Sequence, residues 1–283
     1  KCMNYLSLPS SLLTIDHHCF SECRMLTHVA FPPRLKSIGN YAFYNCLELK
    51  SIPLCAYVKN IGFGAFMNCE KLSKLVQEKI EGQELSLGSL LDELQQQIQV
   101  DMHHMHEDGT YDIARLTFTE FVSEVIADAA SIASICKQFI IENTGSGRNM
   151  RFAVGINGID YRKYDSVFIK TVFMDPFDIN IRIAIDRLMY PYSLGIDART
   201  RYTEYIAAHT GEAANKFVKE DDMASLRTLA ELKLMTKEDV DEAMLLAAGL
   251  NRPEFSAFLM AYKHRNFQAQ AENFSLEDDE FAL

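Results

Sequence analysis

Apolar positions in the first third of the chain recur every 23 residues. Phe20, Phe43 and Phe66 hold one register, Leu26, Leu49 and Leu72 a second, and Ile15, Ile38 and Ile61 a third, with Cys23, Cys46 and Cys69 in step with them. A unit of this size cannot hide its own apolar face. A fixed period of this length therefore predicts stacked coils that share one core and leave an extended surface outside. After Leu75 the register is lost, and from about Ser86 the apolar spacing turns helical. Leu90, Leu91, Leu94 and Ile98 share one face behind a start at Ser89 and Asp92.

Thr117-x-x-Glu120 reads as a capping box. It precedes Phe118, Phe121, Val122, Val125, Ala129, Ile132, Ala133, Cys136 and Phe139, at steps of mostly three and four residues. The spacing predicts a helix from about Phe118 to Ile141, roughly 37 Å long at about 1.5 Å per residue, able to clamp the end of the stack. Gly145-Ser146-Gly147 follows as a flexible break, and alternating Phe152, Val154 and Ile156 before Asn157-Gly158 predict a short strand and a turn. Helices then resume. Tyr161, Tyr164 and Phe168 mark one; Ile181, Ala184, Ile185 and Leu188 the next, ended by Pro191; Ala198, Tyr202, Tyr205 and Ile206 another. Met223, Leu226, Leu229 and Ala230 follow, then Val240, Ala243, Met244 and Ala247 between a Thr236 cap and a Gly249 stop, then Phe255, Phe258, Leu259 and Tyr262 behind Pro253. Short connections between such helices favour antiparallel neighbours.

The repeat has a recognisable text. Ile38-Gly39-Asn40-Tyr41-Ala42-Phe43-Tyr44-Asn45-Cys46-Leu47-Glu48-Leu49 is one unit, and Ile61-Gly62-Phe63-Gly64-Ala65-Phe66-Met67-Asn68-Cys69-Glu70-Lys71-Leu72 begins another. This resembles the BspA-like class of leucine-rich repeats, with its pattern I-G-x-x-A-F-x-x-C-x-x-L, over about residues 3 to 76. The first full unit departs from it at Asp16 and Cys19. In such repeats the segment after the cysteine is a short strand, with Leu26, Val29 and Phe31 inward and His28 and Ala30 outward. Equivalent outward positions are Tyr5 and Ser7, Ser51 and Pro53, Lys74 and Val76. Solenoids commonly bind on such a face, which makes Tyr5, His28, Ser51 and Lys74 the candidate partner-binding residues. Residues 222 to 263 resemble an ankyrin-like helical pair, of a kind found after BspA-like repeats in bacterial proteins, without the usual Thr-Pro-Leu-His start.

Charge divides the chain. Residues 1 to 80 carry net +4 and the remainder net −15. An acidic helical half would repel nucleic acid, and the repeat half offers only scattered cations, so no nucleic-acid partner is expected. No run of about 18 uncharged apolar residues occurs, which argues against membrane insertion. Lys1 to Ser7 hold neither an initiator Met nor a secretory core, and the first repeat begins part-way, so the chain is expected to be cut from something longer. Seven cysteines without a bridge or metal-pair spacing predict reduced structural thiols and, with them, a cytoplasmic location; a cell-surface location is the alternative if an upstream signal is missing.

Chemistry is sparse. His103, His104 and His106 with Glu107 and Asp108 resemble a metal cluster, but neighbouring strand residues face apart and Asp108-Gly109 is a turn signal. No phosphate loop or nucleophile elbow appears, Cys136 sits on an apolar stripe, and acidic pairs at helix starts are explained by the helix dipole. No catalytic residues, metal or cofactor are therefore assigned. The expected fold is α+β: leucine-rich repeats over 1–80, a helical connecting and capping region with a short strand over 81–158, an α-helical ankyrin-like domain over 159–267, and an acidic tail over 268–283 that is either a frayed end or a docking peptide with Phe274, Leu276 and Phe281 as anchors. The expected function is non-enzymatic protein interaction or scaffolding through the repeat surface. A bacterial cell-surface adhesin fragment, or an enzyme or effector with a site in residues 86–158, are the alternatives.

Overall fold

The computed structural model describes residues 3–127 and 139–268. They divide between two compact units, Lys1–Asn180 with Tyr190–Ala198 and Ile181–Met189 with Arg199–Leu283.

The first unit begins as a solenoid. Its strands β1 (Tyr5–Ser7), β2 (Thr14–Ile15), β3 (His28–Ala30), β4 (Ser37–Ile38), β5 (Ser51–Leu54), β6 (Asn60–Ile61) and β7 (Lys74–Lys79) alternate between two parallel sheets, odd strands in one and even strands in the other. Equivalent residues of adjacent coils touch. The rings of Phe20 and Phe43 stack at 5.2 Å, as do those of Phe43 and Phe66. Cys23, Cys46 and Cys69 are buried in the same column. The Cys46 thiol donates to the Phe20 carbonyl at 3.4 Å and the Cys69 thiol to the Phe43 carbonyl at 3.3 Å. Contact with the Cys69 thiol, and then burial, push the Cys46 thiol far above its ordinary range, so it stays protonated.

The tight turns have a visible cause. Each coil places two residues in the left-handed region, at His18, Tyr41 and Gly64 and again at Glu22, Asn45 and Asn68, with φ between 54° and 63°. Asparagine tolerates that conformation, and here its side chain is also used: the Asn68 amide donates to Asn45 Oδ1 at 2.8 Å. The glycine of the repeat is steric. A Cβ on Gly39 would lie 2.6 Å from the His17 backbone nitrogen, and one on Gly62 2.5 Å from that of Asn40.

Helix α1 (Leu87–Glu93) closes the last coil. The Gly64 N–H donates to the Glu93 carboxylate at 3.0 Å, Ser86 Oγ donates to the Val58 carbonyl at 3.1 Å, and the Gln96 amide donates to the carbonyls of Cys69 and Leu72 at 3.3 Å. These bonds satisfy backbone groups that a further coil would otherwise meet. Strand β8 (Ile98–Met105) then adds parallel to β7, and β9 (Tyr111–Phe118) returns antiparallel after a turn at Asp108-Gly109. Ile98 thus belongs to a strand, and does not continue the face of Leu90, Leu91 and Leu94.

The helix expected over Phe118–Ile141 is corrected by the structure. Phe118 ends β9, and β10 (Val122–Ala127) pairs antiparallel with β11 (Phe139–Thr144); residues 128–138, Cys136 among them, lie outside the described residues. Short apolar runs fit either period, and Val122, Val125, Ile126, Ile140, Ile141 and Thr144 are β-branched residues suited to strands. Thr117 is no cap. Its backbone N–H donates to the Tyr164 hydroxyl at 3.0 Å, and that hydroxyl donates to the Thr117 carbonyl at 2.7 Å.

Gly145-Ser146-Gly147 is a packed corner where a flexible break was expected. Ser146 is fully buried, Gly145 has φ 80°, and a Cβ on Gly147 would lie 2.2 Å from the Thr119 carbonyl oxygen. Helix α2 (Gly147–Arg151) follows. The buried Arg151 guanidinium donates to the carbonyls of Leu91, Leu94, Gln96, Thr119 and Gly147 at 2.7 to 3.0 Å. The expected short strand and turn are the hairpin of β12 (Val154–Gly155) and β13 (Gly158–Ile159). Helix α3 (Tyr161–Met174) starts at an Asp160 cap.

Helices α4 (Phe177–Met189) and α5 (Ile196–Ala207) follow, and α6 (Thr210–Glu220), α7 (Met223–Glu231), α8 (Lys237–Gly249) and α9 (Pro253–Lys263) complete the second unit with a π-turn over His264–Gln268. α8 packs on α6 and α9, and α6 on α7. Asp221 in the left-handed region ends α6 and Asp222 caps α7, so two residues suffice to reverse the chain. Thr236 and Asp239 form a complete capping box on α8. Arg182 ties this unit together, with its guanidinium 2.6 Å from Asp222, 2.7 Å from Glu220 and 5.4 Å from the Phe217 ring centre.

Candidate functional site

The outward face of the odd-strand sheet is the extended surface that the repeats build. Cα partners run Tyr5↔His28, His28↔Ser51, Ser51↔Lys74 and Lys74↔Gln99, so the four positions singled out from the sequence stand in one column across four parallel strands. Parallel neighbours are about 4.8 Å apart, which sets the rise of that column. A second column runs beside it, with Ser7↔Ala30 at one end and Pro53↔Val76 and Val76↔Asp101 at the other. Inward residues anchor it: Leu6, Val29, Ile52 and Leu75 are buried.

Exposure falls along the column. Tyr5 is 61% exposed and His28 is exposed, whereas Ser51 and Lys74 are half-buried. The His28 ring is steadied by its neighbour, with Nδ1 2.9 Å from Thr27 Oγ1, whose hydroxyl donates to the Asn4 carbonyl at 2.7 Å.

Lys74 shares the register but its charge is already engaged. Its ammonium lies 2.9 Å from Asp101, which also receives two hydrogen bonds from Arg115, at 2.7 and 2.9 Å. The Arg115 guanidinium in turn lies 4.4 Å from the Tyr190 ring centre. Burial opposes ionisation of Asp101, yet the hydrogen bonds from Arg115 and Lys74 outweigh it and hold the carboxyl below its usual range. An ion-paired, aromatic-covered cluster therefore closes the column. Sequence reasoning missed Asp101, Arg115 and Tyr190. A signal existed for one of them, Arg115, since Tyr111, Ile113, Arg115 and Thr117 alternate with Asp112, Ala114, Leu116 and Phe118 at the period of a strand.

The histidines diverge. His103 stacks on Tyr111 at 4.4 Å, His104 stacks on Tyr192 at 3.7 Å and reaches the Tyr161 hydroxyl at 2.6 Å, and His106 reaches Asp112 at 3.1 Å. Burial pushes the His104 pKa down to about 4, so the ring is neutral at ordinary pH. Among the described residues no group of three or more His, Cys, Asp or Glu is placed to hold a metal ion, and no helix is long and apolar enough to cross a membrane.

Comparison with known proteins places the repeats. A crystal structure of a leucine-rich repeat protein from Bacteroides ovatus ATCC 8483 is 27% identical to this chain, with a TM-score of 0.22, over 28% of this chain and 26% of that one. The chain thus spans about a quarter of that protein. No curated protein matches. The model of the BspA type leucine rich repeat region matches residues 1–83 in 6 copies. With the coils, the stacked phenylalanines and the left-handed turns in view, residues 1–83 are BspA-type leucine-rich repeats.

Proposed function

We propose that this protein is a non-enzymatic interaction or scaffold module that docks a protein partner on the outward face of its repeat sheet, with Tyr5, His28 and Ser51 as the contact column and Lys74 as its boundary. The observation that carries the reading is the column itself: side chains held in one register by a rigid parallel sheet, ending at an ion-paired cluster. A preformed row of this kind limits the ordering cost of binding, and a projecting tyrosine is a common energetic anchor.

Charge narrows the partner. The repeat half is mildly basic, which by itself favours an acidic or neutral surface. Because Asp101 is shared between Lys74 and Arg115, one positive charge remains at that end of the column, in keeping with an acidic or neutral partner surface that offers a cleft for the Tyr5 ring. A reducing compartment belongs to the same reading, supported by the buried thiols at Cys23, Cys46, Cys55 and Cys69.

The test is a comparison of baits. A partner recovered with the native chain should bind at least about tenfold more weakly when Tyr5→Ala and His28→Ala are combined, with the thermal melt unchanged; tenfold corresponds to about 1.4 kcal/mol. Binding that survives both changes and vanishes when residues 268–283 are removed would overturn the column as the docking surface.

A further inference from the structure

A second recognition surface lies within the helical unit. Helix α7, helix α9 and the turn over His264–Gln268 enclose a groove of about 620 Å³ whose wall includes Arg227, Lys233, Phe258, Tyr262 and Arg265, with Glu231 as the carboxylate there. The Arg227 guanidinium lies 5.0 Å from the Phe258 ring centre, a cationic edge above an aromatic floor. Several other cations of this unit are paired, Lys216 with Glu220, Lys263 with Asp241 and Arg252 with Asp221. Arg227, Lys233 and Arg265 form no ion pair among the described residues. In a chain of net charge −11, an aromatic-floored groove with three cations and one carboxylate is matched to an anionic, apolar-spaced peptide.

The chain carries such a peptide a few residues away. Glu272, Glu277, Asp278, Asp279 and Glu280 alternate with Phe274, Leu276 and Phe281, and residues 269–283 contain no Lys or Arg. Arg265 and Asn266 already line the groove. Phe274 is eight residues beyond Asn266, a reach of up to about 28 Å for extended chain. A tether this short supplies an effective concentration in the millimolar range, enough to fill a weak site in the same molecule.

We infer that the groove between α7 and α9 is the docking site of the chain's own C-terminal segment, with Phe274 or Phe281 on the Phe258 floor and the carboxylates against Arg227, Lys233 and Arg265. The segment then acts as an internal occupant that a stronger acidic, aromatic-bearing peptide from another protein displaces. This surface is separate from the repeat column, so either can fail without the other.

Chymotrypsin cleavage after Phe274 and Phe281 in the full chain is the first test. Arg227→Glu combined with Arg265→Glu should speed that cleavage at least fivefold without lowering the melting temperature. Equal rates would overturn the proposal. The second test leaves the groove intact: a fluorescein-labelled peptide of residues 269–283 should bind a full chain carrying Phe274→Ala and Phe281→Ala at least tenfold more tightly than it binds the native chain. No binding to that variant, or equal binding to both chains, would contradict occupancy of the groove. Protection from cleavage that disappears on dilution would show docking between copies and overturn docking within one chain.

Discussion

The repeat coils and the helical unit are held together by different kinds of contact. In the coils a side chain meets its own equivalent 23 residues away: Phe43 between Phe20 and Phe66, Asn68 on Asn45, Ser37 Oγ on Thr14 Oγ1 at 3.1 Å. In the helical unit two helices carry side-chain caps of their own, Asp222 on α7 and Thr236 with Asp239 on α8, and unlike partners join helices, such as Thr210 with Asp239 and Asn215 with Glu242. A stack of equivalents is a nearest-neighbour system, so damage in a middle coil breaks two interfaces at once. Damage to a cap stays local. The same stacking that makes the coils interdependent also holds the outward column in a single register, whereas the helical unit presents a groove of non-repeating residues.

The largest expected effect probes that interdependence. Phe43→Ala should destabilise by about 3 to 5 kcal/mol, read from denaturant midpoints, and Phe20→Ala, with one stacked ring neighbour in place of two, should cost less. Equal costs, or a cost for Phe43 below about 1 kcal/mol, would break the comparison. Next comes Tyr164→Phe, which strips the hydroxyl that both accepts from and donates to the buried Thr117 backbone, at an expected cost of about 1 to 3 kcal/mol by the same assay. Thr236→Ala should cost about 0.5 to 2 kcal/mol, with hydrogen exchange quickening at the start of α8 and the coils unaffected. Exchange that quickens throughout the coils would show that the helical caps are not local.

The smallest effect is a slope with pH. His104 is held neutral in the fold down to about pH 4, while the unfolded ring takes up a proton near the ordinary histidine value of 6.5. The folded pKa is the lower one, so the contribution is complete above pH 6.5 and is lost as pH falls towards 4. His104→Gln should flatten that part of the stability profile, as followed by melts across the interval. An unchanged profile would show that the His104 ring is solvated in the fold.

The coils and the last helices were legible in the sequence because their signals are local or repeated. Phe20, Phe43 and Phe66 announce a register three times, and Thr236 lies three residues before its own capping partner. The column of Tyr5, His28, Ser51 and Lys74 followed from that register alone. What was hidden depends on distant partners. Thr117 looks like a cap until Tyr164, 47 residues on, is seen bonding its backbone. Arg151 reads as an ordinary basic residue, yet besides the Gly147 carbonyl of its own helix it closes four carbonyls of segments that no pattern links to it. Helix α6 was not singled out, since Ala213 and Ala214 dilute the stripe that Phe217 and Val218 complete. The pairing of Lys74 was hidden for a related reason: Asp101 and Arg115 sit on strands that add to the solenoid sheet, in a region whose apolar spacing also fits helices.

Both the stack and the column rest on one register, and site-resolved thiol labelling under native conditions tests it most directly. Cys19 is exposed, whereas Cys23, Cys46 and Cys69 are buried in one column with the Cys46 thiol held protonated. The expected result, from mass mapping of alkylated peptides, is rapid modification of Cys19 and modification of the other three at least a hundredfold slower until denaturant is added. Modification of Cys46 at the rate of Cys19 would contradict the stacked register, and with it the column of Tyr5, His28 and Ser51.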